Sequence, residues 1–407
     1  MKKTVLREYA KLIAKAGANV QKGQEVFITA ELDQPEFVAM VVDECYKLKA
    51  KKVVVDWSYQ PLTKLHVRYR SVKTLSTLDN YEEARWQHYV DTIPCRIYLI
   101  SEDPDGLRGV NQEKMAKSQQ AKYPIIKGYR DQIENKYQWC IAAVPGEKWA
   151  KKLFPELRAS QAVEKLWDAI LKTSRVTDDP IKAWEDHNRD LHDRCEYLNK
   201  LHIRELRYKS SNGTDFTVGM IPEAQFCGGG ETSLQGIFFN PNIPTEECFI
   251  SPMRGVAEGI VYATKPLSYQ GQLISGFWIR FHEGKAVEWH AEENNELLTK
   301  LIEMDEGSRY LGECALVPFD SPINQTGLLF YNTLFDENAC CHLALGMGFA
   351  DTIQDFQNKT LDECRKLGVN DSMIHEDFMI GSADLSIDAV CEDGKTAAIF
   401  RNGTWAF

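Results

Sequence analysis

The chain has 407 residues, 43% of them hydrophobic and 26% charged, the proportions of an ordinary globular protein. Those figures exclude wholesale disorder and collagen-like or coiled-coil architecture, and the length exceeds what one hydrophobic core serves, so two domains are expected. A formal net charge of -11 argues against nucleic acid as a main partner, because phosphate binding needs a basic surface.

Eleven cysteines, odd in number and irregularly spaced, do not form a disulfide framework. Cys340 and Cys341 are too close for ordinary bridging geometry. The opening M-K-K-T-V-L-R-E-Y-A lacks the apolar core of a signal peptide, and no stretch has the length of a membrane span. A reducing cytoplasm is the expected compartment, with no membrane partner.

In chain order, residues 4–16 place Val5, Leu6, Tyr9, Leu12 and Ile13 at helical spacing, and Gly17 ends that helix. Strands are predicted at 25–29, 52–57, 95–101 and 137–144, with helices at 35–50 and 84–90 between them. Strands alternating with helices imply crossover units and a mostly parallel sheet. A long helix over 178–201 presents Trp184, Leu191, Cys195, Leu198 and Leu201 on one face. Beyond it the texture changes to short strands and turns. Residues 203–209 and 215–218 flank Asn212-Gly213, a hairpin signal, and further strands are predicted at 259–263, 274–281, 285–290 and 397–400. The expected architecture is therefore an N-terminal α/β domain with a mostly parallel sheet, residues 1–185. An α+β C-terminal domain, residues 186–407, follows.

No G-x-G-x-x-G follows a strand, and no G-x-x-x-x-G-K-[ST], H-E-x-x-H or G-x-S-x-G occurs. The commonest nucleotide, zinc-peptidase and serine-hydrolase signatures are thereby excluded. Gly346-Met347-Gly348 lacks a third glycine and reads as a helix terminus.

Chemistry concentrates in four apolar segments of the second half that carry acids. T-L-F-D-E-N-A-C-C-H-L-A-L-G (333–346) holds Asp336, Glu337 and His342. Glu337 is expected at or before a helix start, capped by Asp336 or Asn338, with His342 one turn inside. His375-x-Asp377 has period-two spacing, so on a strand both side chains share a face. Residues 242–249 set Glu246 and Glu247 among apolar neighbours, and 310–318 set Glu313 alone in an apolar strand. Buried charges require a partner or a cation. Taken singly, each segment equally suits a hydrogen-bonded core pair, a capped helix or an edge strand; taken together, they point to a carboxylate-rich site with two histidines.

The blocks N-I-P-T-E-E-C-F, G-E-C-A-L-V-P, T-L-F-D-E-N-A-C-C-H-L-A-L-G and H-E-D-F-M-I-G-S, with the opening Y-A-K-L-I-A-K-A-G-A-N-V-Q-K-G-Q, resemble the M29 metalloaminopeptidases of the AmpS/AmpT/PepS type. The resemblance spans nearly the whole chain. It implies removal of N-terminal amino acids from short peptides by water activated between two divalent metal ions per chain (Zn, Co or Mn). It also implies metal ligands Glu247, Glu313, Glu337, His342, His375 and Asp377, with Glu313 bridging the ions. A homodimer enclosing a chamber that admits short, unfolded peptides is implied as well. The general base is expected at the Glu246-Glu247 pair, Glu247 in a dual role and Glu246 as the second candidate. The sequence departs from the family where a tyrosine is expected seven residues after His342: Phe349 stands there, and a phenyl ring cannot donate a hydrogen bond to a tetrahedral intermediate. Tyr331 is a substitute by sequence proximity. Rival readings are another two-metal amidohydrolase or phosphoesterase, which would need basic residues beside the metals where only Arg254 is near, and a catalytically weakened metal-binding homologue.

Overall fold

The computed structural model describes residues 1–407, which divide into two compact units. The first comprises Met1–His187 and Gly230–Pro244, the second Asn188–Gly229 and Thr245–Phe407. The chain thus crosses from one unit to the other inside the long helix Pro180–Lys200 and returns for fifteen residues, a detour that no compositional shift marks.

In the first unit β1 (Glu25–Glu31), β2 (Lys52–Ser58), β3 (Cys95–Ile100) and β4 (Trp139–Ala143) form a parallel sheet in the order β4-β3-β1-β2, and the two-residue strand Asn242–Ile243 extends it beside β4. β1 is hydrophobic on both faces because helices cover both sides of such a sheet. Helices Pro35–Lys47, Asn80–Thr92 and Gln112–Ile133 supply the crossovers. The Tyr9 ring stacks on Phe37, whose other contact is the edge of Trp167, so the first helix is fastened by aromatic packing.

In the second unit the Asn-Gly hairpin forms as the sequence predicts, pairing Ile203–Lys209 with Asp215–Met220. It belongs to a nine-stranded antiparallel sheet that also holds Pro252–Tyr262, Gln272–His282, Lys285–Glu293, Ser386–Cys391 and Thr396–Arg401. A second antiparallel sheet is built from β5 (Cys248–Ile250), β6 (Leu311–Leu316), β7 (His342–Gly346) and β8 (His375–Met379), in the order β8-β7-β6-β5, with Cys227–Gly228 beyond β5. One hydrophobic core joins the two sheets. Leu206, Phe216, Val261 and Phe277 from the first meet Cys248, Cys314, Leu343 and Phe378 from the second. The chain is therefore mixed α/β, one sheet parallel and the others antiparallel. All eleven cysteines are free, and no helix is long and apolar enough to cross a membrane.

The 333–346 segment corrects the sequence reading. It holds a single turn of helix, Thr333–Asp336, then a 3-10 turn Glu337–Ala339, and then strand β7 beginning at His342. His342 is therefore the first residue of a central strand, and Glu337 follows a helix end where a start was expected. Gly346 closes that strand with φ +104°, so Gly346-Met347-Gly348 terminates a strand and not a helix. Asp336 caps no helix start downstream of it. Its two oxygens instead accept the backbone N–H groups of Phe330 and Asn332 at 2.7 and 3.0 Å, which fixes the loop before the short helix.

Candidate metal centre

Residues facing each other across a ladder share a face of the sheet, as do alternate residues along a strand. Phe249 pairs with Ala315 and Ala315 with His342; Glu313 pairs with Ala344 and Ala344 with Asp377; Gly346 pairs with His375. Glu313, His342, His375 and Asp377 therefore project from one face, and Glu247, two residues before Phe249, reaches the same side. The alternate residues Cys248, Ile250, Cys314, Leu316, Leu343, Leu345 and Phe378 all point into the hydrophobic core. One face is apolar apart from Glu376, which pairs with Leu345, and the other is acid.

Two local features make this possible. Leu311 pairs with Leu345 while Glu313 pairs with Ala344, so Gly312 is an extra residue on β6. Without that bulge Leu311 and Glu313 would share a face; with it Leu311 turns into the core and Glu313 into the site. A Cβ at position 312 would lie 2.1 Å from the Met347 carbonyl oxygen, so only glycine fits. Secondly, the row between the larger side chains is filled by Ala315, Ala344 and Gly346, which leaves open volume where the acids and imidazoles converge.

The result is two groups of ligand atoms, each within 4.8 Å of one another: Glu247, Glu313 and His342, and Glu313, His375 and Asp377. Glu313 belongs to both. His342 Nε2 is 3.2 Å from Glu247 and 3.9 Å from Asp377; His375 Nε2 is 3.0 Å from Glu313 and 3.4 Å from Asp377. Glu337 is in neither group, but its buried carboxyl is pushed well up by desolvation and by the charges of Asp377, Glu247 and Glu313 around it. Thus all six residues expected as ligands come together, while Glu246 is in neither group and offers its backbone N–H to Asn338.

The imidazoles are oriented from behind. His375 Nδ1 lies 2.7 Å from the Met347 carbonyl oxygen and His342 Nδ1 3.3 Å from that of Cys340. A carbonyl only accepts, so each Nδ1 carries a proton and each Nε2 is turned toward the carboxylates. This is the arrangement of metal-binding histidines, whose far nitrogen is held by a backbone or carboxylate acceptor.

Electrostatically the cluster is in deficit. Four carboxyls and two imidazoles are enclosed, and with all four ionised even two protonated histidines would leave two negative charges over. Burial, with Glu247 and Asp377 nearby, pushes the Glu313 carboxyl up to about 7. Burial opposes protonation of His342, but its hydrogen bond to Glu247 and the surrounding acids overcome this and lift it to about 9. Asp377 Oδ1 is buried with no hydrogen bond donated to it. Oxygen and imidazole donors with surplus negative charge and an orphaned carboxylate oxygen fit divalent cations of the Zn, Co or Mn kind.

A model of the thermophilic metalloprotease (M29) family matches residues 2–405. The chain belongs to the M29 metalloprotease family. It is a peptide hydrolase of that family, and its likeness to M29 relatives is end to end. Aminopeptidase AmpS of Bacillus subtilis (strain 168) is 39% identical over 99% of this chain and 98% of its own. Aminopeptidase 2 of Geobacillus stearothermophilus is likewise 39% identical, over the same shares. Among solved structures, wild-type AmpT from Thermus thermophilus superposes with a TM-score of 0.88 at 35% identity, covering 100% of both chains.

Within this M29 chain, Phe349 stands at the site itself. Its ring centroid is 4.7 Å from the His375 ring and 5.6 Å from that of Phe249, which together make an apolar wall beside the most exposed of the six candidate ligands, His375. Tyr331 sits in a left-handed turn ahead of the short helix, with φ +55°. Sequence reasoning missed Thr245, whose hydroxyl stands 3.4 Å from Glu247, and the work of Gly312. A glycine inside an apolar strand is the available signal for a bulge.

Proposed function

We propose that this M29 enzyme is an aminopeptidase that removes N-terminal residues from short peptides using two divalent cations per chain. The observation that carries the reading is the pair of ligand groups on one sheet face with Glu313 common to both. Glu247 and His342 would hold one ion, His375 and Asp377 the other, Glu313 would bridge them, and Glu337 would complete the set. When bound, such a pair supplies Lewis acidity that lowers the pKa of a water and polarises the scissile carbonyl.

The chain's own residues do the rest. Glu247, held by the Thr245 hydroxyl, takes the proton of the attacking water, with Glu246 as the second candidate for that role. The backbone carbonyls of Met347 and Cys340 keep both imidazoles in the tautomer that presents Nε2. Phe249 and Phe349 exclude water from the side of the site next to His375. The family likeness further supports a homodimer with an enclosed chamber, and eleven free cysteines support a cytoplasmic setting.

Hydrolysis of aminoacyl-p-nitroanilides, with and without a chelator, tests this. Activity lost on chelation and restored by Co²⁺, Zn²⁺ or Mn²⁺ is expected; activity indifferent to chelation overturns it. A second reading, a metal-binding homologue of weakened turnover, draws on Phe349, whose ring offers no phenol where it faces His375. It would show ion uptake without turnover.

A further inference from the structure

We infer that Asn338 is the positioning residue that sets the Glu337 and Glu247 carboxylates relative to one another. This rests on the reading of the site as a cation pair. Asn338 is completely buried in the 3-10 turn after the short helix. Its Oδ1 accepts the backbone N–H of Glu246 at 2.7 Å. A backbone N–H can only donate, so this contact fixes which way the amide faces. The amide nitrogen must then point the other way, and there it donates to the Leu334 carbonyl at 3.1 Å and to Glu337 Oε1 at 3.2 Å.

The Thr245 hydroxyl lies within reach of both groups. It stands 3.5 Å from Asn338 Oδ1 and 3.4 Å from Glu247 Oε1; both are acceptors and the hydroxyl has one proton, so it donates to one of them at a time. Glu247 precedes β5 and Glu337 follows a helix ninety residues later, yet one buried amide holds both the backbone N–H next to Glu247 and the Glu337 carboxylate. Asparagine alone among residues of this size brings an acceptor for the Glu246 N–H and donors for a carbonyl and a carboxylate. Aspartate would set its own oxygen against two acceptors, and leucine would leave the Glu246 N–H and the Glu337 carboxylate without these contacts. Side chains that orient metal ligands in this way commonly cost 10–100-fold in affinity when removed.

The test is calorimetric titration of the chelator-stripped full chain with Zn²⁺ at 25 °C, comparing wild type with Asn338→Ala, Asn338→Leu and Thr245→Val, alongside thermal melts of the stripped proteins. Both Asn338 variants are expected to bind about 10–100-fold more weakly. The loss should be equal whether the replacement leaves a cavity or fills it. Thr245→Val, nearly isosteric and the variant least disturbing to folding, should lose about fivefold, the worth of one hydrogen bond. Affinities within twofold of wild type overturn the inference, as does recovery in Asn338→Leu of what Asn338→Ala loses, since packing would then explain the effect. An unchanged Thr245→Val overturns the link to Glu247. Absence of ion uptake by the wild type overturns the cation-pair reading itself, and the inference with it.

Discussion

Glu313 Oε2 stands 3.0 Å from His375 Nε2 although their strands are not neighbours, β7 running between them. The two side chains meet because the row they cross is occupied by Ala344 and Gly346, too small to intervene. Small residues on β7 are thus as much a part of the site as its acids.

Replacing Ala344 by valine places two methyl groups between Glu313 and Asp377. The expected outcome is loss of ion binding and activity with a stability cost of about 1–3 kcal/mol, the usual range for overpacking a filled interior. Ion analysis and a urea melt check this. Normal ion content in Ala344→Val would show that the row is not the space the ligands use.

Stability without cations should fall as pH rises. Burial raises the carboxyls of Glu313 and Asp336 to about 7 and of Glu376 to about 8. The folded state therefore keeps protons that the unfolded chain releases near 4, so stability falls from about pH 4 upward and the loss is complete once pH has passed the folded values of about 7 and 8. His342, raised to about 9 from the ordinary 6.5, contributes stability that is complete below 6.5 and gone above 9. Both effects run the same way between pH 6 and 9. Asp377 is lowered by His375 and His342 despite its burial, so its own contribution changes only below 3.8, outside that window. The melting temperature of chelator-stripped protein should drop by about 5 °C or more from pH 6 to pH 9, and added Zn²⁺ should flatten the slope. A flat profile in the stripped protein contradicts this.

Much of the fold was legible because local patterning and tertiary demand agree. Val26 to Ile28 are apolar enough for a strand buried on both faces, Cys95 to Leu99 alternate as a strand does, and Asn212-Gly213 marks its hairpin. His375 and Asp377 share a face as their spacing requires. The failure at His342 has a physical cause. β7 is five residues long and buried on both faces, so it shows no alternation, and its alanine, leucines and preceding acids imitate a capped helix. Those small residues are there to clear space for side chains from other strands, a requirement that exists only in the assembled sheet. The role of Asn338, read from the sequence only as a possible helix cap, was hidden because its partner Glu246 lies some ninety residues away, and Thr245 drew no notice at all.

Phe349→Tyr adds a hydroxyl to a ring 4.7 Å from His375. If that phenol can reach the reacting carbonyl, kcat should rise about tenfold with KM little changed, as for a donor that acts only in the transition state. Steady-state kinetics on an aminoacyl-p-nitroanilide decide the matter, and an unchanged kcat would mean that another donor fills the role.

The central claim is that Glu313 is shared by two cations. Metal analysis of the purified enzyme beside Glu313→Gln tests it most directly. Two ions per chain in the wild type are expected, falling to one or none in the folded variant with activity abolished. A wild type holding one ion or none, or a variant that keeps both ions and full activity, would contradict it.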